Sequence, residues 1–73
     1  MESDKPMDGF VDVKNWVVRT ASVTKPYNKD WSVSVTLGMD VNEYGPTIEI
    51  AYRRLAERII NSEYLYNQFK QNK

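Results

Sequence analysis

Between Trp31 and Val41 every second residue is apolar: Trp31, Val33, Val35, Leu37, Met39 and Val41 alternate with Ser32, Ser34, Thr36, Gly38 and Asp40. Successive side chains of a strand point to opposite faces, so this pattern demands a sheet with one dry face and one wet face. Wound as a helix, the same residues would scatter their apolar groups around the axis. The chain is 73 residues long, room for one domain at most. The layer that covers the dry face must come from the flanking residues or from another molecule.

The C-terminal flank supplies one candidate. Ile48, Tyr52, Leu55, Ile59, Ser62, Tyr66 and Phe69 recur at intervals of four and three, with Ala51 and Ala56 widening the stripe. That spacing predicts an amphipathic helix over 47–70. Asn42-Glu43-Tyr44-Gly45-Pro46 ends the strand, and Pro46 or Thr47 opens the helix. Glu49, Arg53 and Glu57 stand four apart and support the rim. Asn61-Ser62 is a weak point where the helix is free to break and restart with Ser62 as a cap.

The N-terminal flank is less regular. Residues 11–24 are rich in Val and Thr and read as a first strand, joined to a second over 30–41 by a turn at Pro26-Tyr27-Asn28. Facing residue numbers then sum to 54, which pairs Val23 with Trp31, Ala21 with Val33, Val17 with Leu37 and Val13 with Val41 on the core face. On the other face Lys14 meets Asp40, Trp16 covers Gly38 and Val18 meets Thr36, each pair contributing roughly 0.2–1 kcal/mol. Arg19 falls on the core face in this register and is its one misfit. Residues 1–9 are polar, contain Pro6 and read as a disordered tail. The expected fold is α+β: an antiparallel β-hairpin under one C-terminal α-helix (ββα), a single domain over 10–73.

Missing residue types exclude much chemistry. The chain has no Cys and no His, so it has no disulfide, no thiolate metal site and no base for a nucleophilic Ser or Thr. Three scattered Gly residues make no phosphate-binding loop. Asp12, Asp40 and Glu43 could meet at one end of the hairpin, but solvated loop acids are the common case. No catalytic residue, metal or cofactor is expected. No apolar run spans a bilayer, and Met1 to Phe10 lacks the apolar stretch of a signal peptide; a cytoplasmic protein without a membrane partner is expected.

What remains is binding. Ten basic and ten acidic residues cancel, which argues against a general nucleic-acid coat. The charges are nevertheless sorted into blocks, with Lys14, Arg19, Lys25 and Lys29 free of acids between them. Interleaved with Trp16, Tyr27 and Trp31, they would suit a single-stranded nucleic acid. In the expected register Trp16 and Val18 stand on the outer sheet face in a polar rim, the usual anatomy of a protein-binding hot spot. On the helix, Arg53 and Arg54 are exposed beside Ile50, Ile60 and Tyr64. The expected partner-binding set is Lys14, Trp16, Val18, Arg19, Lys25, Tyr27, Lys29, Arg53 and Arg54, used by a monomer or a homodimer. The open strand edges are a further place for a partner strand.

In its length, its lack of Cys and His and its layout of charged tail, hairpin and helix, the chain resembles small phage-encoded regulators that bind host machinery. The resemblance implies a stoichiometric inhibitor or modifier of transcription, with bacterial RNA polymerase as the frequent target, acting by occluding a protein surface in the host cytoplasm. The alternatives are a small single-strand nucleic-acid-binding module and a self-associating structural subunit.

Overall fold

A computed structural model of the chain describes residues 5–25 and 30–72. The element order is α1 (Lys5–Thr20), β1 (Ser22–Thr24), β2 (Trp31–Thr36), β3 (Asp40–Gly45), α2 (Ile48–Asn61) and α3 (Glu63–Asn72). The fold is α+β, as expected, but it is not ββα. A helix precedes the strands, the antiparallel sheet has three strands in the order β1-β2-β3, and two helices follow.

The largest correction is α1, which occupies most of the expected first strand and the last part of the expected tail; residues 1–4 lie outside the described residues. Phe10, Val13, Val17 and Ala21 are spaced by three and four, and with Trp16 they form one stripe. Val13 and Val17 are fully buried, and Phe10, Trp16 and Ala21 pack against the core from its margin. β-branched residues favour strands only weakly, and burial of a continuous stripe overrides that preference. Arg19, the misfit of the hairpin register, lies exposed in the last turn of α1.

Only the end of the expected first strand survives, as β1. It pairs Ser22 with Ser34, Val23 with Val33 and Thr24 with Ser32, so facing numbers sum to 56 and the expected register is two residues out. A shift of two keeps side chains on their faces, and Val23 still points with Val33 toward the helices. The pairings expected for residues 13–21 do not form, because those residues are helical or connect α1 to β1.

The long alternation folds back on itself. β2 ends at Thr36, and β3 returns with Trp31 opposite Gly45, Val33 opposite Glu43 and Val35 opposite Val41. Gly38 makes the reversal: its φ of 75° lies in the left-handed region that favours glycine. The Leu37 N–H donates to the Met39 carbonyl across it at 2.9 Å. A Cβ on Gly38 would run into the Tyr64 hydroxyl and come within 3.3 Å of Gln68.

α2 lies over β2 and β3, with α1 and α3 beside it. Its start is set by Thr47 rather than Pro46: the Thr47 hydroxyl accepts from the Ile50 N–H at 3.2 Å. Gly45 permits the close approach, since a Cβ there would stand 2.7 Å from the Ala51 nitrogen. The expected 47–70 helix breaks at Ser62, whose N–H donates to the Ile59 carbonyl at 3.2 Å and whose hydroxyl accepts from the Leu65 N–H at 3.3 Å. The break turns Leu65 and Phe69 back into the core with Val33, Val35, Leu37, Val41, Ala51, Leu55, Ala56 and Ile59.

Candidate functional site

Among the described residues, the helices cover one face of the sheet and leave the other bare. Register places Ser22, Ser34 and Asn42 in one row of the bare face, Thr24, Ser32 and Tyr44 in the next, and Thr36 with Asp40 at the end. These side chains are short and polar except for Tyr44, whose residue is 50% exposed. The Thr36 hydroxyl leans toward the Asp40 carboxylate at 3.4 Å. The strand alternation foretold this wet face; Tyr44 was hidden in it because the sequence there reads as the break before the helix.

The edge of this face at β3 has its own character. The Leu37–Met39 hydrogen bond sets the ladder phase, so Val35–Val41, Val33–Glu43 and Trp31–Gly45 are the hydrogen-bonded pairs. Asp40, Asn42 and Tyr44 therefore turn their N–H and C=O groups away from β2. One of these groups is met from inside the protein: Arg54 Nη1 of α2 donates to the Tyr44 carbonyl at 2.9 Å. One turn further on, Arg58 Nη1 holds the Glu43 carboxylate at 2.9 Å. Two guanidinium groups thus line the helix side of the β3 edge.

The expected site residues do not gather into one surface. Trp16 is not on an outer sheet face. It sits half-buried on α1, with its ring edge-on to Phe69 at 5.6 Å between centroids. Val18 and Arg19 are exposed on α1. Lys14 does not meet Asp40; it pairs with Glu49 and ties α1 to the first turn of α2. That hydrogen bond, with the Lys14 charge behind it, holds the Glu49 carboxyl below its ordinary value. Lys25 is exposed beyond β1, with its Nζ over the Trp31 ring at 5.3 Å from the centroid, and Trp31 is only partly buried. Tyr27 and Lys29 lie outside the described residues. Arg53 and Arg54 are exposed on α2, and only Arg54 borders the bare face.

The three acids expected near one end of the hairpin are dispersed. Asp12 is on α1, Asp40 faces outward, and Glu43 faces the helices. Among the described residues no three acidic side chains come together where a metal could be held. No helix among the described residues is long and apolar enough to cross a membrane.

The class these features define is a small α+β domain with helices on one face of a three-stranded antiparallel meander and a polar, Tyr-bearing face left open. No family model, no curated protein and no solved structure matches the chain.

Proposed function

We propose that this chain is a small non-catalytic regulator that works by occupying a protein surface, through the bare sheet face centred on Tyr44. The observation that carries the reading is the setting of that residue: a half-exposed aromatic ring opposite Ser32 and beside Asn42, with Thr24 beyond Ser32 in the same row, on a face that no described helix covers. Tyr supplies large rigid contact area at low entropic cost, and short polar side chains supply adaptable hydrogen bonds; protein-binding paratopes use this mixture. The most concrete target is bacterial RNA polymerase in the host cytoplasm, a choice that rests on the resemblance to phage-encoded regulators. Binding there would block a site that a transcription factor or promoter DNA must use.

Trp16 is replaced by Tyr44 as the anchor of this reading, because the Trp16 ring is engaged with Phe69. The same change weakens the nucleic-acid alternative. Trp31 is partly buried in the core margin, and the strand residues of the bare face include no Lys or Arg.

Tyr44→Ser tests the proposal. It is expected to weaken partner binding by about 2 kcal/mol, the loss of a hot-spot anchor, while thermal stability changes by less than about 1 kcal/mol. The measurement is affinity capture from nuclease-treated bacterial lysate by the parent and the variant, with thermal unfolding of each alongside. Capture of one stoichiometric protein by the parent and its loss in the variant is the expected result. Capture that disappears with nuclease, or that the variant retains in full, overturns the reading.

A further inference from the structure

We infer that the outer edge of β3 receives an extended peptide segment as a fourth strand, with an acidic side chain of that segment seated against Arg54. The inference deepens the protein-binding reading above and rests on it, since it names the partner's chemistry and the way it docks.

An edge strand offers a row of N–H and C=O groups to any extended chain that reaches it. β1 is a poor template, being three residues long with only Val23 turned outward. β3 is six residues long and turns out the groups of Asp40, Asn42 and Tyr44. Among the described residues, Asn42 has no backbone partner on that side, and the Tyr44 carbonyl is met only by Arg54. A guanidinium has five donors and is satisfied best by a carboxylate. A strand that brings its own N–H to the Tyr44 carbonyl releases Arg54, and an acidic side chain beside it takes the freed fork. Arg58 is already held by Glu43, so Arg54 is the charge the incoming strand meets.

A second copy of this chain is a distinct outcome of the test. Two β3 edges paired antiparallel about a two-fold axis at Asn42 would set Tyr44 of each copy opposite Asp40 of the other. Shifts of the β3 amides that grow with protein concentration in the absence of peptide would reveal such a dimer and overturn the inference. The arrangement at the other end sets the position of the acid. Asp40 lies at the Gly38 end of β3 and would repel a carboxylate, so the acidic residue belongs at the Gly45 end, where Arg54 reaches the strand.

The test uses the full chain and a blocked peptide of alternating Thr and Val with a single Glu near one end, titrated into the millimolar range. Backbone amide shifts are read by nuclear magnetic resonance. The Glu peptide is expected to move the amides of Asp40, Asn42 and Tyr44. Replacing its Glu by Lys is expected to weaken binding roughly fivefold, the range of an exposed charge pair. Arg54→Gln should erase that difference. Methylating the peptide nitrogens that would face β3 should abolish the shifts without altering the protein. Absence of shifts at these amides with the Glu peptide, or equal binding of the Glu and Lys peptides, overturns the inference. Asn42→Pro separates it from the reading beneath it, because proline is tolerated on a strand edge whose N–H faces solvent. Lysate capture that is lost in Tyr44→Ser but kept in Asn42→Pro would overturn strand addition and leave face binding standing.

Discussion

Trp16 and Val18 lie two positions apart on α1 and have opposite surroundings. The Trp16 ring meets Phe69 and is half-buried, whereas Val18 is 45% exposed. Trp16→Ala is therefore expected to cost about 2–3 kcal/mol, somewhat less than loss of a fully buried aromatic. Val18→Ala is expected to stabilise by a few tenths of a kcal/mol, up to about 0.5, because Ala suits an exposed helical position better than a β-branched residue. Had the segment been a strand, the sign at Val18 would be reversed. Urea unfolding of the two variants reads both effects. The two residues also show where the sequence was illegible. Val-Val-Arg-Thr after Trp16 reads as strand by residue type, and the helical stripe Phe10, Val13, Val17 and Ala21 competes with it. Local preference is worth tenths of a kcal/mol per residue, and Val13 and Val17 are core-facing in either form. The helix alone also carries Phe10 and Trp16 to the core margin and sends Arg19 to solvent, and that added apolar burial outweighs the preference. The stripe decides the outcome.

Elements are joined in this molecule by positions that admit no side chain. Gly38→Ala is expected to cost about 1–2 kcal/mol for the left-handed backbone alone, before any displacement of Tyr64. Gly45→Ala places a methyl against the backbone of α2, which cannot swing aside, and is expected to cost about 1–3 kcal/mol. Thermal unfolding of both variants checks these losses. The alternation of Trp31 to Val41 was legible as strand and as a core face, and that face is where Val33, Val35, Leu37 and Val41 are buried. The reversal inside it was not, because Gly38 sits in phase with the polar positions and breaks no period. The helix was legible down to its interruption at Ser62, since a capping side chain stands there in the sequence. The candidate site was legible only as an open sheet face; its anchor, Tyr44, depends on a third strand that the residue pattern alone does not announce.

For the molecule as a whole, the Lys14–Glu49 charge pair links the N-terminal helix to α2. The folded Glu49 carboxyl is held below its ordinary value by Lys14. A depressed acid contributes stability that is present above the ordinary carboxylate value and is lost as pH falls through the lower, folded value. Lys14→Met is expected to remove this part of the acid-side loss, so that the stabilities of parent and variant converge as pH falls below both values. Unfolding midpoints measured through the acid range check the convergence. Divergence at low pH would place the linkage elsewhere.

The way α1 attaches has a consequence for how the chain acquires its shape. The strands form a meander in which each pairs with its neighbour in sequence, and α2 follows directly from the strand it covers. Those contacts close short loops and come cheaply in chain entropy. α1 packs instead on α2 and touches α3 through Trp16 and Phe69, so its partners lie far along the chain. Folding should begin in the meander with α2 and finish when α1 docks. Truncating Val13 would then speed unfolding and leave the refolding rate nearly unchanged, whereas truncating Val35 would slow refolding. The helix that comes first in the sequence would be the last to find its place, and the first to leave it.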